Sequence, residues 1–379
     1  MRIGFDVTSL AVTRSGVGTY TANLLDHLRH APDDVLVPLA HRPVLLGPTD
    51  ERVGRGRRLN KTFWMQAVLP RELDRLGIEI AHFTNGVAPL VAPCPIVLTV
   101  HDMTLWLYPR YHPLRRLLTV RPILPLAVRR ASAIVAVSQS AKRDLVRILG
   151  VPPERVHVVH SAAAPCFRPL PLGAGLDTVR QAYGLPDRFV LFVGSLEPRK
   201  NLVRLLEAFA RLDPDLRASV GLVLAGPRGL KDTPIFEAVQ RLGIAGSVRF
   251  LGYVPSDRLV ELYNLAEVLA FPSLYEGFGL PVVEAMACGT AVLTTRRGGL
   301  AEAAGEAAEF VEPLRVESIQ AGLERVLRDS TRRDELRALG LAQASRFSWA
   351  ATATSTRHLY QMVADGAQSA GRTAGGVAR

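Results

Sequence analysis

Short apolar runs alternate with amphipathic stretches along nearly the whole chain, and this alternation constrains the fold more than any single motif. In the first half, strand-like runs start near Arg2, Val35, Ile78, Ile96, Ala133 and Val156. Between them lie segments of helical spacing: Leu24, Leu25 and Leu28 share one side of a helix near Tyr20–Arg29, and another opens at Ser140, a candidate N-cap. The second half repeats the pattern, with strands expected at Phe189–Val193 and Ala218–Ala225 and in runs starting near Val248, Val268 and Ala291. Leu202, Leu205, Leu206, Phe209 and Leu212 recur at helical spacing. A continuous apolar strand such as Phe189–Val193 belongs to a sheet covered on both faces. The expected fold class is therefore α/β, with two Rossmann-like domains of parallel sheet facing across a cleft.

The chain has 379 residues, more than one hydrophobic core usually serves. Pro165, Pro169, Pro171, Gly173, Gly175 and Gly184 crowd together and mark a linker. The expected division is an N-terminal domain over 1–165, a linker over 166–186 and a C-terminal domain over 187–346. A last helix over 347–364 and a small, polar, disordered tail over 365–379 complete it. Cys94, Cys166 and Cys288 are odd in number and far apart, which suggests neither a disulfide framework nor a zinc site. With no leader evident before the first strand-like run, a cytoplasmic location is expected.

The formal charge is +11. Basic charge implies anionic partners, but no nucleic-acid motif is present, so nucleic acid is not expected. Two basic clusters, Arg52–Arg58 followed by Phe63 and Trp64, and Leu114–Arg121 continuing to Arg129 and Arg130, suit peripheral contact with an anionic membrane.

The densest chemistry lies in Phe271 to Gly289. Glu276 and Glu284 are separated by seven residues, with Gly277, Phe278, Gly279 and Leu280 between them and Pro281 suited to a first helical turn. Glu276 is expected on a glycine-rich loop and Glu284 one turn inside the helix, near an N-terminus that attracts anions. Acids that accept hydrogen bonds beside an anion site suit a ligand with sugar hydroxyls and phosphates, such as a nucleotide sugar. A second element follows the strand ending at Gly194: Arg199 and Lys200 stand before Asn201, a candidate N-cap. Cations and a helix N-terminus make a diphosphate site there. Gly16 and Gly18 follow the first strand in a loop beginning near Arg14, a phosphate-friendly turn without the full dinucleotide spacing.

The string around Glu276 and Glu284 resembles the E-x7-E signature of retaining glycosyltransferases of GT-B architecture, in particular family 4. Gly194 to Asn201 resembles the same family's glycine, arginine-lysine element, and His101–Asp102 its strand-end histidine. The resemblance implies a metal-independent hexosyltransferase without cofactor. Its donor would be a UDP- or GDP-linked sugar, mannose or glucose, and its acceptor a glycan, glycolipid or other lipid-linked hydroxyl, with a soluble small molecule as the alternative. It gives Glu284 the ribose, Glu276 the sugar hydroxyls, and Arg199 and Lys200 the diphosphate. Gly16 and Gly18 would reach donor phosphate, His101 the transferred sugar, and the last helix over 347–364 would cross back to the N-terminal domain. Tyr20, Asp102 and Ser138 are acceptor-side candidates. The family is usually assigned a front-face mechanism, in which the leaving phosphate deprotonates the acceptor. His160 to Ala163 and Ala291 depart from the family's pattern. A non-catalytic nucleotide-sugar-binding protein remains the reading from another class, and the intact Glu276, Arg199, Lys200 and Glu284 argue against it.

Overall fold

The computed structural model describes residues 1–11, 16–29, 34–45, 52–53, 60–171, 173 and 175–375. The chain divides into two units: residues 1–107, 114–161 and 349–379 form the first, and 108–113 and 162–348 the second.

The first unit contains β1 (Arg2–Asp6), β2 (Val35–Leu39), the antiparallel pair β3 (Val44–Leu45) and β4 (Arg52–Val53), then β5 (Ile80–Phe83), β6 (Ile96–Val100), β7 (Ala133–Ala136) and β8 (Val156–Val158). Six of these form one sheet in the order β2-β1-β5-β6-β7-β8, with every neighbouring pair parallel. β5, β6 and β7 are buried along their whole length, as strands covered on both faces must be. The helix Trp349–Gly375 packs on the helix Gly16–Arg29. Its Tyr360 hydroxyl meets Nδ1 of the fully buried His82 at 2.5 Å.

The second unit repeats the design with β9 (Phe189–Val193), β10 (Gly221–Ala225), β11 (Val248–Gly252), β12 (Val268–Phe271), β13 (Ala291–Thr294) and β14 (Glu309–Phe310). The order is β11-β10-β9-β12-β13-β14, again with parallel neighbours.

Several local expectations are corrected. The stretch 166–186, expected as a linker, falls in the second unit. It carries the helix Leu176–Ala182 and buries Phe167, Val179 and Leu185, so its apolar side chains find cover even though proline and glycine set its turns. Residues 365–375, expected as a tail, continue the last helix. Its packed first part supplies the nucleus, and Ala364, Ala367 and Ala370 favour propagation. Residues 376–379 lie outside the described residues. Ala218 and Ser219 end the helix Pro214–Ser219, capped by the Asp213 carboxylate, instead of opening a strand. The helix after β7 spans Gln139–Leu149 and is capped by Ser138, not Ser140: its Oγ accepts from the Ala141 N–H at 2.9 Å.

The two basic clusters fare differently. Only Arg52 and Val53 of the first are described, and Trp64 beside it is core, 2% exposed with its indole N–H donated to Glu72. The second is the helix Leu114–Arg130, which buries Leu124, Ala127 and Val128 and exposes Leu114, Leu118, Leu126 and five arginines. Among the described residues no helix is long and apolar enough to cross a membrane.

Candidate active site

The site in the second unit begins where β9 runs out. Gly194 has φ 145°, and a Cβ on Gly226 at the end of β10 would lie 1.9 Å from the Gly194 carbonyl oxygen. Two glycines thus let the ends of adjacent strands touch. The chain then makes a short 3-10 turn over Pro198–Lys200, and Asn201 adopts left-handed φ 63° before the helix Leu202–Ala210. Asn201 does not cap that helix with its side chain. Its amide donates to the carbonyls of Pro272 (3.1 Å) and Pro313 (2.6 Å), tying the loop to the segments after β12 and β14.

That tie brings Arg199 and Lys200 to Glu276. Lys200 Nζ donates to Oε1 at 2.7 Å, and Arg199 Nη1 lies 2.8 Å from Oε2 while also donating to the Tyr275 carbonyl at 2.7 Å. Lys200 also sits over the Phe271 ring, 4.8 Å from its centroid. Burial pushes the Glu276 carboxyl up, but the two cations outweigh burial and bring its pKa down to about 2. Burial pulls Lys200 below the usual lysine value, against the pull of Glu276. Glu197 lies 3.7 Å from Arg199, so four charges balance. In this structure Arg199 and Lys200 are the counter-ions of Glu276.

The Glu276 loop is clamped from β13's side. Gly299 N–H donates to the Glu276 carbonyl at 2.8 Å, and Glu276 pairs with Gly298 as an isolated parallel bridge. A Cβ on Gly298 would lie 2.2 Å from the Glu276 carbonyl oxygen, at a φ of 62°. Gly279 precedes the helix Leu280–Ala287, whose Val282, Val283, Ala285 and Met286 are buried. Phe278 is buried too, its ring edge-on to Phe347 at 5.4 Å, so its side chain serves packing. Glu284 is 7% exposed and accepts from the Tyr263 hydroxyl at 3.0 Å. Burial raises its pKa to about 7, with the Tyr263 hydroxyl opposing.

In the first unit, Gly16 and Gly18 open the helix Gly16–Arg29, while Arg14 and Ser15 of the same loop lie outside the described residues. His101 Nε2 donates to the Thr84 carbonyl at 2.8 Å, and its ring stands edge-on to Tyr20 at 4.8 Å. Burial holds its pKa below the usual histidine value, so at neutral pH the ring is uncharged and Nδ1 carries the lone pair. The acceptor-side candidates make the following contacts. Tyr20 is 1% exposed and packs on Trp349, Asp102 accepts from Thr104 N–H and hydroxyl, and Ser138 is a buried cap.

Two family models match: "Glycosyl transferases group 1" over residues 177–340 and "Glycosyltransferase Family 4" over residues 14–163. The O-antigen chain mannosyltransferase B of Escherichia coli is 33% identical over 267 residues, covering 70% of each chain. The chain belongs to the family 4-like glycosyltransferases of GT-B fold. The serotype-specific mannosyltransferase WbdA of Escherichia coli is 37% identical over 229 residues, which are 59% of this glycosyltransferase but only 28% of WbdA. Among solved structures, Anabaena HepE in complex with UDP-glucose superposes with a TM-score of 0.76 at 19% identity, over 97% of this chain and 100% of that one, a likeness of fold.

Further residues border Glu276 and Glu284 in the structure. Tyr263 had no signal, because a contact between two helices leaves no spacing in sequence. The close approach that requires Gly298 and Gly299 shows only in the structure, where the Glu276 carbonyl lies against the first and the Gly277 carbonyl against the second.

Proposed function

We propose that this glycosyltransferase moves mannose or glucose from a UDP- or GDP-linked donor, with retained anomeric configuration, to a hydroxyl of a glycan or lipid-linked acceptor. The observation that carries the reading is Glu276, held ionised at a strand end by Lys200 at 2.7 Å and Arg199 at 2.8 Å. A carboxylate accepts up to about four hydrogen bonds, so two cations leave room for hydroxyls of the sugar ring. The same cations meet the charge that grows on the departing diphosphate, and the proposed reaction needs neither metal nor cofactor. Glu284 takes the ribose. Gly16 and Gly18 supply N–H groups to phosphate at a helix start. His101, neutral, offers Nδ1 to the sugar's 6-hydroxyl. Mannose is supported by the names of the relatives in Escherichia coli, and UDP by the HepE complex.

For the chemical step, the leaving phosphate takes the acceptor's proton on the face it departs from, while the sugar passes through an oxocarbenium-like state. Product stereochemistry by NMR tests this, and inversion at the anomeric carbon overturns it. Calorimetric titration of UDP, GDP and their mannose and glucose conjugates into wild type and Glu284→Ala tests the donor site. One nucleotide should bind and weaken in the variant. No binding to folded protein overturns the reading.

The proposal includes peripheral contact with an anionic inner membrane surface. The helix Leu114–Arg130 supports it, exposing leucines among arginines with no acidic residue in its length. Sedimentation with anionic and neutral vesicles decides it: no binding to anionic vesicles at low salt removes the membrane and favours a soluble small-molecule acceptor.

A further inference from the structure

Among the described residues the Glu284 carboxylate has one hydrogen-bond partner, the Tyr263 hydroxyl at 3.0 Å. Tyr263 lies on the helix Ser256–Leu265, fully buried. It is held on several sides. Its backbone carbonyl accepts from the Thr290 hydroxyl at 2.6 Å, and its ring meets Phe167 edge-on at 5.8 Å. Its neighbour Asn264 accepts from the Leu170 N–H at 2.8 Å and donates to the Arg168 carbonyl at 3.1 Å. The hydroxyl is therefore a fixed donor delivered to a carboxylate from a different helix.

We propose that Tyr263 is a positioning residue for donor binding: its hydroxyl fixes the Glu284 carboxylate through Oε2 and leaves Oε1 to accept from the nucleotide ribose. The inference rests on the reading of Glu284 as the ribose acceptor.

The physical need for such a residue follows from burial. A carboxyl in an apolar setting prefers to be protonated, and a protonated carboxyl has exchanged acceptor capacity for a donor. Among the described residues no arginine, lysine or histidine acts on Glu284 to hold it ionised. Cys166 and Cys288 sense its charge, but burial raises both thiols, and they stay neutral. Tyr263 itself is raised well above the usual tyrosine value, so it remains a donor throughout. The tyrosine hydroxyl is the group left to favour the carboxylate form.

The test is calorimetric titration of UDP and GDP into full-length wild type, Tyr263→Phe, Glu284→Gln and Thr290→Val, between about pH 6 and 9, with thermal unfolding to verify each fold. Ionisation of the nucleotide's own phosphates is common to all four and cancels in affinity ratios. Tyr263→Phe should bind about 3- to 10-fold more weakly at neutral pH, the range of one lost hydrogen bond, and should recover as pH rises. Thr290→Val loosens the same helix and should leave the pH midpoint unchanged. An unshifted midpoint in Tyr263→Phe overturns the proposal while leaving the donor site standing. A ratio of wild type to Glu284→Gln that does not change with pH also overturns it, whether or not Tyr263→Phe folds. Absence of nucleotide binding by folded wild type at every pH overturns the donor reading, and the proposal with it.

Discussion

Lys200 Nζ lies 2.7 Å from Glu276 Oε1, although 76 positions separate the two residues in the chain. The pair joins the loop after β9 to the loop after β12, and Arg199 completes it on the other carboxylate oxygen.

Glu276→Ala should leave Lys200 buried without its paired carboxylate and Arg199 with the more distant Glu197, 3.7 Å away. The expected loss is about 3–5 kcal/mol, read as a lower denaturant midpoint at unchanged slope. The pH dependence has a definite sign. Because the folded pKa is depressed from 4.5 to about 2, the carboxylate's contribution is present above 4.5 and is lost as pH falls through about 2.

Glu284 should behave in the opposite sense. Its folded pKa is raised from 4.5 to about 7, so its contribution is full below 4.5 and disappears as pH rises through about 7. Thermal unfolding midpoints of wild type should fall relative to those of Glu284→Gln between about pH 5 and 8.

Gly298→Ala places a methyl group 2.2 Å from the Glu276 carbonyl oxygen at a left-handed φ. Destabilisation beyond about 1 kcal/mol is expected, together with weaker nucleotide binding as the Glu276 loop shifts. Gly246→Ala is the control: nothing lies within 4 Å of the added Cβ, and its unfolding midpoint should barely move.

Ser138→Ala removes a helix cap. It should lower stability by about 1 kcal/mol and leave KM for acceptor unchanged, because the hydroxyl is fully buried against the Ala141 N–H. A selective rise in KM would instead place Ser138 on the acceptor side.

Strands were legible in the sequence because a parallel sheet covered on both faces demands unbroken apolar runs, as in Phe189–Val193, every residue of which is buried. Glu276, Arg199 and Lys200 were legible as members of one site, since each sits at a strand end beside a helix start. Their mutual pairing was not, because spacing fixes residue types and leaves charge partners open. Asn201 shows how a local rule yields: asparagine favours caps, yet two proline carbonyls claim its amide. Tyr263 and Phe167 were invisible for the same reason as any tertiary contact, and the proline-rich stretch hid a helix because its buried positions are few.

The return of residues 349–379 to the first unit bears on how the chain is made. A ribosome releases the second unit whole before the helix carrying Tyr360 emerges. Until then His82 Nδ1 lacks the Tyr360 hydroxyl that meets it in the folded first unit. A nonsense mutation just before Trp349 would therefore keep every residue of the later-encoded unit and remove a helix from the one encoded first.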